Sequence, residues 1–481
     1  MATKELTIKD WQAGIGQSPY LGFAQMTNVD IFTQPGSLKI SNLLELDNIS
    51  SINITAMPIG VAQSPLNGDI FIVCEDGKLF KRDGASTWTE IVGYGAGGRG
   101  GQGIAWWKGY IIYARGSALD AYNVITGVWT VNWRTGLNSG VHPMIILQDD
   151  RLYVGNLNFI DVCNEVFGQT FDPANGATYS YSSEALPLKQ GYTVNVLEEF
   201  SSYLAIGTKQ YNNNVADMFF WNGSDEFITA SQTIKFADNG IQMTKNVGNM
   251  LYTIAGTGLP RIFRSLTSQA VEYIRFNNID KGSASVTLFP QAIDQKDGEI
   301  LFGIGQNLSV DGVTPVGVYS LRGSAYVLRY LPSSGKDGSN GVSYIGFIKV
   351  INAEQMLVSW YDGTNYGIDI LNIGKFYSTG ANVESPIYTV GTESDPKTYE
   401  RVEVRLGKPL KTGDVITIKG RKNLTDNYVT LATFGPSYVG RDAVEERVLN
   451  LSKTVEFQCK IELAMSSSAS ESIEIKEVIF Y

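Results

Sequence analysis

The sequence predicts an all-β protein: a β-propeller of about seven blades followed by a C-terminal antiparallel β-sandwich of jelly-roll type. Three observations carry this. Glycine supplies 51 of 481 residues beside 25 Tyr, 21 Phe and 8 Trp, the balance of many tight turns between aromatic-rich strands. A strand–turn–strand pattern returns at the interval of a propeller blade. Beyond residue 378 the alternation of polar and apolar residues becomes strict and charged.

Residues 1–50 form the first segment, a docking arm. Trp11-Gln-Ala-Gly-Ile-Gly16, Asn28-Val-Asp-Ile31 and Gln34-Pro-Gly36 mix apolar residues with turn formers and lack a hairpin. An arm of this kind cannot bury itself alone, and exposed it is an aggregation hazard. It must pack across the propeller, complete its ring, or dock on another chain. Trp11, Ile15, Phe23 and Ile31, the turn residues Pro35 and Gly36, and Arg99 in the glycine-rich segment 93–103 are therefore the candidate partner-binding residues.

Residues 51–377 carry the repeat. Ile70-Phe-Ile-Val-Cys74 followed by Lys78-Leu-Phe-Lys-Arg82 is a hairpin across Glu75-Asp-Gly77,. Equivalent pairs centre on Phe71, Ile112, Tyr153, Leu204, Tyr252, Phe302 and Leu357. These anchors lie about 40–55 residues apart, a period that describes four short strands per unit. The second strand of a copy commonly ends in a small residue, as at Gly155, Gly207 and Gly303. Residues 378–481 follow a linker and alternate with period two in Arg401-Val-Glu-Val-Arg-Leu406 and Asp414-Val-Ile-Thr-Ile-Lys419. Period two places one face inside and one in water, the pattern of a sandwich. The best helical candidate, Asp442–Val448, fits a strand and turn equally well.

Composition excludes several classes. Hydrophobic residues make up 43% and charged residues 18%, too apolar for a disordered chain. A net charge of -10 argues against a protein that grips nucleic acid through its phosphates. The single histidine, His142, and three scattered cysteines, Cys74, Cys163 and Cys459, give neither a zinc ribbon nor a disulfide framework. No apolar run is long enough to span a bilayer. Residues 1–30 lack the basic head and apolar stretch of a secretory signal, so the expectation is synthesis in a cytoplasm. No metal or cofactor is expected.

Chemical motifs are few. Gly93-Tyr-Gly-Ala-Gly-Gly98 matches a dinucleotide fingerprint in spacing, but a strand and not a helix follows it, so a flexible loop is the better reading. His142 stands beside Pro143 at the head of an apolar strand, a structural position. Asp149-Asp150 is expected to be a solvated turn, and Asp294-Gln-Lys-Asp-Gly298, which loosely suggests a calcium loop but has too few oxygen ligands in register, is expected to be a turn. Tryptophans 106, 107, 129, 133 and 221 could stack on sugars, but blade packing accounts for them more simply. Asp83-Gly-Ala-Ser-Thr-Trp88 resembles a degenerate Asp-box of sialidase propellers, where the box staples a turn away from the chemistry. Sialidase-like cleavage needs an arginine cluster and a Tyr–Glu pair, and the arginine spacing singles out no such set.

The order of parts is more telling. The arm with Asn28-Val-Asp-Ile31 and Pro35-Gly36, the propeller, and a terminal module opening at Glu384-Ser-Pro-Ile-Tyr-Thr389 and closing on Ile475-Lys-Glu-Val-Ile-Phe-Tyr481 resemble tailed-bacteriophage virion proteins of the tail hub or nozzle type. That resemblance implies a non-enzymatic structural subunit of the virion tail, made in the host cytoplasm. It implies a homo-oligomeric ring, often a hexamer, around the DNA channel, with other tail proteins as neighbours. DNA would pass nearby without sequence-specific binding, and contact with a host-surface glycan would be a further role. The alternatives are a carbohydrate-active propeller hydrolase or sugar-binding protein with a carbohydrate-binding sandwich, and a ligand-binding scaffold.

Overall fold

The structure, a computed structural model, describes residues 5–16, 22–47, 49, 52–84, 86–91, 100–210, 215–236, 239–256, 261–265, 269–275, 286–307, 316–334, 342–392, 395–423, 425–448 and 454–481. Its described residues are almost all β. Five separate four-stranded antiparallel sheets follow one another at 58–90, 100–135, 144–187, 192–236 and 241–275. Two more units, of four strands at 293–330 and of three at 342–376 joined by a fourth from 42–46, belong to a larger 15-stranded sheet. The arrangement is propeller-like.

Each sequence anchor falls on the second strand of its unit. Phe71 lies in Ile70–Cys74, Tyr153 in Leu152–Asn156 and Leu357 in Met356–Tyr361. Ile70–Cys74 and Leu152–Asn156 are buried along their whole length. Burial on both faces explains why these strands are apolar runs and not alternations. Hairpin turns are made with consecutive residues of positive φ at Lys108-Gly109, Gly248-Asn249 and Asp297-Gly298, the twist that joins two antiparallel strands tightly.

The first strands of the units touch in cyclic order, and the circle closes where Val342–Val350 meets Pro58–Gln63. The small residue of the second strand, which lies within the strand and does not end it, has a physical reason. A Cβ on Gly207 would lie 2.8 Å from the Ile241 side chain of the next unit, and one on Gly303 would lie 2.3 Å from Ile345. Glycine there lets one unit approach the first strand of its successor. Third strands carry a second recurrence, a buried aspartate at Asp120, Asp161, Asp217 and Asp369. Asp120 and Asp161 accept the backbone N–H of Asn132 (2.7 Å) and Glu184 (2.8 Å). Both donors sit at positive φ where the fourth strand slips register. Asp217 accepts from Tyr192 Oη at 2.6 Å, and Asp369 from Trp360 Nε1 at 2.7 Å.

The N-terminal segment is not a free arm: of the three roles the sequence leaves open, it packs across the units and completes the ring within its own chain. Asn42–Leu46 is the fourth strand of the unit at 342–376, paired antiparallel with Tyr366–Phe376. Gln25–Thr27 pairs with Ala381–Glu384 and bridges in parallel to Leu328. Leu6–Ile8 and Leu38–Ile40 both pair with Glu474–Phe480. One chain end thus stitches the units to the C-terminal strands. Those strands form two antiparallel sets, one through Val415–Arg421 and Glu456–Ala464, the other through Arg401–Leu406 and Glu474–Phe480. Arg401–Leu406 and Val415–Arg421 keep the strict in–out alternation, and the rings of Phe457 and Phe480 meet between the sets at 5.0 Å.

Two buried ionic clusters fix the stitching. Arg329 Nη2 donates to Asp30 Oδ2 at 2.8 Å, and Arg329 Nη1 pairs with Glu299, whose carboxylate also accepts from Ser320. Burial works against the Asp30 charge, but Arg329, the Thr33 hydroxyl and the N–H groups of Thr33 and Phe32 outweigh it and hold its carboxyl below the usual value. Asp47, just past the inserted strand, accepts from Arg82 Nε at 2.6 Å and from Trp88 Nε1 at 2.9 Å.

Arg329→Met removes the cation and leaves two buried carboxylates facing each other. It should lower unfolding free energy by about 3–5 kcal/mol, read as a shift of the denaturant midpoint. Gly303→Ala forces its methyl into Ile345, a stiff β-branched neighbour, and should cost about 1–3 kcal/mol in the same measurement.

Candidate functional site

Two regions offer chemistry or contact. The first is a cavity of about 230 Å³ where the first strands of the units converge. Its walls combine polar groups with aliphatic side chains from the units, Val61, Ile104, Ile145, Val196, Ile293 and Ile348. Into it come four ionisable side chains, Glu198, Lys245, Asp294 and Lys349. Lys245 Nζ pairs with Asp294 Oδ1 at 3.2 Å, and Asp294 Oδ2 accepts the Val350 N–H at 2.8 Å. Glu198 Oε1 accepts the Asn246 N–H at 3.4 Å.

Electrostatics in this cavity are set by burial and by the charges on facing strands. Burial pushes the Glu198 carboxyl up to about 7, with Lys245 opposing. Burial also disfavours the Lys245 cation, but Glu198 and Asp294 outweigh it and raise its amine. Lys349 goes the other way, lowered by burial and by Lys245 while Asp294 opposes. Thr244, 5% exposed, also lines the cavity, and its hydroxyl has no hydrogen-bond partner.

The second region is the rim that carries the turns between first and second and between third and fourth strands. Neighbouring units are joined along it. Trp107 Nε1 donates to Asp150 O at 2.9 Å, Lys108 pairs with Asp150, and Arg151 Nη1 donates to Gly223 O at 3.2 Å. On these tips stand exposed apolar side chains: Ile125 (76%), Val128 (60%), Phe167 (103%) and Phe227 (68%). Each lies between the third and fourth strands of its unit, in three consecutive units.

The residues singled out from the sequence are distributed otherwise. Trp11, Ile15, Phe23 and Ile31 are buried within the chain. Trp11 Nε1 donates to Lys476 O at 2.7 Å, its ring stacks on Phe23 at 5.5 Å, and the Ile15 N–H donates to Tyr326 O at 2.9 Å. These four therefore serve the chain's own packing and are not presented to a partner. Pro35 and Gly36 are exposed, in a turn closed by the Ser37 N–H on Gln34 O. Arg99 lies outside the described residues.

His142 is fully buried, with Nδ1 2.9 Å from Gly155 O and Nε2 2.8 Å from Gly116 O. It ties two units together. In the Asp-box-like turn, Asp83 accepts the Thr87 N–H at 2.8 Å and Trp88 is buried. Trp107 and Trp133 pack around Phe171 at 4.5 and 5.5 Å. Cys74, Cys163 and Cys459 are free thiols in the core. Among the described residues no group of three or more His, Cys, Asp or Glu is placed to hold a metal ion, and no helix is long and apolar enough to cross a membrane.

The four cavity charges escaped the sequence reading. The turn read at 294–298 is made by Asp297 and Gly298, while Asp294 already lies in the innermost strand Ile293–Lys296. The available signal was a charge within or ending an apolar first strand, as in Val194-Asn-Val-Leu-Glu198 and Ile345-Gly-Phe-Ile-Lys349.

No family model matches the chain, and no curated protein matches it. Among solved structures it is similar to the computationally designed Ika8 protein, with a TM-score of 0.41 and 12% identity over 69% of this chain and 100% of that one. It is similar to the Cps50 (Swd1) beta-propeller domain of Myceliophteria thermophila, with a TM-score of 0.43 and 10% identity over 67% and 98% of the two chains. The Dos1 propeller gives a TM-score of 0.42 and 12% identity over 69% and 95%. These are distant likenesses of fold.

The unfolded chain's Glu198 titrates near 4.3, below its folded value of about 7. The native protein therefore holds that proton more tightly, and stability falls as pH rises through this window. Glu198→Gln should flatten the decline, gaining on wild type as pH goes from about 4.5 to about 7, in thermal melts across a pH series.

Proposed function

We propose that this protein is a structural subunit of a bacteriophage tail, a ring component of hub or nozzle type that acts by assembly with other virion proteins. In this reading the seven units are the blades of a propeller, at 51–377. The terminal strands at 378–481 are a jelly-roll-like sandwich, and the segment 1–50 locks the two together. The protein is a tail component of the virion made in the host cytoplasm, and it turns over no substrate.

The observation that carries the reading is the apolar rim. Burying one Leu- or Phe-sized side chain is worth about 1.5–3 kcal/mol. Single exposed apolar residues need no explanation, but several on adjacent hairpin tips of one rim mark a contact surface. Ile125, Val128, Phe167 and Phe227 stand at such tips, with Phe167 wholly exposed. The net charge of -10 suits a wall past which DNA slides, since like charge repels phosphate. The contact surface moves from the arm, where the sequence suggested it, to these turns.

A second reading, a carbohydrate-active hydrolase or sugar-binding protein, draws on one observation: Glu198 and Asp294 share the axial cavity. Against it, no arginine among the described residues lines that cavity, and Asp294 has both oxygens engaged.

Mass in solution over a concentration series discriminates between them. Full-length protein should form a ring-sized species, and the double variant Ile125→Ser, Phe167→Ser should stay near the 52.6 kDa monomer with unchanged circular dichroism. A wild-type monomer at every concentration, together with release of sugar from a glycoside panel, would replace the first reading with the second.

A further inference from the structure

We propose that copies of this chain join head to tail through a knob and a pocket. The Phe167 ring of one copy enters a cavity of the next, between its units at 144–187 and 192–236. The inference rests on the assembly reading above and names the contact within it.

The knob is made by a tight turn. The chain leaves the strand Phe159–Glu165, and the Gln169 N–H closes on Val166 O at 2.9 Å with Gly168 at φ 77°. Glycine supplies the left-handed third position of such a turn, which fixes Phe167 at the second. Its ring is wholly exposed. The Val166 N–H donates to Thr178 O at 2.9 Å and ties the turn to the far side of its loop. A side chain held out by a fixed backbone has little freedom left to lose on docking, and buried aromatic anchors dominate contact energies.

The pocket is a second cavity, of about 400 Å³. Leu188 and Phe219 are its buried apolar residues, Val215 and Phe227 its exposed ones, and Lys189 and Lys235 bring charge. The loop that carries Phe227 is fastened on both sides. Trp221 Nε1 donates to Asp225 O at 2.8 Å, and the Thr229 N–H to Gln232 Oε1 at 2.9 Å. An apolar cavity of about 150 Å³ accepts a benzene ring, so the Phe167 ring fits with room for Val166 beside it.

Charge selects the same pairing. Among the described residues neither Lys189 nor Lys235 has an ion pair or a hydrogen bond. Beside the knob the balance is reversed. Glu165 and Asp150 share one cation, Lys108, and Asp172 has none among the described residues. The remaining charge at the pocket, Asp217, is buried and accepts from the Tyr192 hydroxyl at 2.6 Å. Opposite charges around an apolar contact orient the approach. Knob and pocket are different surfaces, so each copy serves one neighbour with the first and another with the second. Contacts of this kind close into a ring when the rotation between copies allows.

The test is sedimentation velocity on full-length protein over a concentration series, where wild type should grow beyond two chains. Phe167→Ser, and separately the double variant Val215→Asp, Lys189→Glu, should each weaken association by about tenfold or more. All three positions are exposed, so circular dichroism should not change. Lys235→Glu replaces the double variant should that one fail to fold. Mixed in equal amounts, the knob and pocket variants should give a two-chain species and nothing larger, because each pair keeps one intact knob and one intact pocket. A pocket variant that assembles like wild type overturns this contact and leaves the assembly reading standing. Loss of assembly in the pocket variant but not in Phe167→Ser means that another segment fills the cavity, and the knob is refuted. A mixture that stays monomeric, or a wild type that stops at two chains, overturns the head-to-tail arrangement. A wild-type monomer at every concentration overturns both readings.

Discussion

Arg329 holds together parts of the chain that no local sequence would join. Its guanidinium reaches Asp30 from the N-terminal segment and Glu299 from its own unit, all within the interior. A buried charge is tolerable only with good geometry and full hydrogen bonding. The Thr33 hydroxyl and N–H, the Phe32 N–H and the Ser320 hydroxyl supply most of that requirement. The cluster therefore specifies where residues 29–33 must lie more than it adds to stability. Once they lie there, the following strand at 42–46 is aimed at the open edge of the unit at 342–376, and Asp47 is delivered to Arg82 and Trp88.

The same economy runs through the repeat. Each third-strand aspartate is buried where an apolar residue would pack as well, and each has collected donors from a different source. Asp161 takes the amide of Asn156, the hydroxyl of Tyr181 and the N–H of Glu184. Asp369 takes the Trp360 indole and both the N–H and hydroxyl of Ser333, from the loop after the preceding unit. Such anchors fix strand register, which in a sheet buried on both faces is poorly determined by hydrophobic pattern alone. His142 does comparable work between units, reaching two backbone carbonyls with one ring.

What the sequence disclosed follows from range. Hairpins are local, so the repeat and its anchors could be read directly, and all seven anchors lie on second strands. The period-two strands after residue 378 were equally legible because their outer face is wet. The N-terminal segment was not, because its strands are two to five residues long and every partner but one lies hundreds of residues away. Trp11 and Ile15 looked like a surface in search of a partner, and the partner was Lys476 and Tyr326 of the same chain. Cavity charges were hidden for another reason. Whether Lys349 faces an axis or a neighbour is set by the twist of a whole unit, which no window of sequence contains.

The strand at 42–46 has a consequence in time. Asn372 and Glu45 bond across the closing pair while standing 327 residues apart in the chain. At about 5–20 residues per second, a ribosome needs roughly 15–65 s to make that stretch. Throughout this interval the strand has no partner, and an unpaired apolar edge is a template for the wrong neighbour. The first strand to leave the ribosome exit for this ring is the last to be seated. A nascent chain of this protein must therefore be held open, by polar company on the strand such as Asn42 and Glu45 or by a chaperone, until Tyr366–Phe376 has emerged.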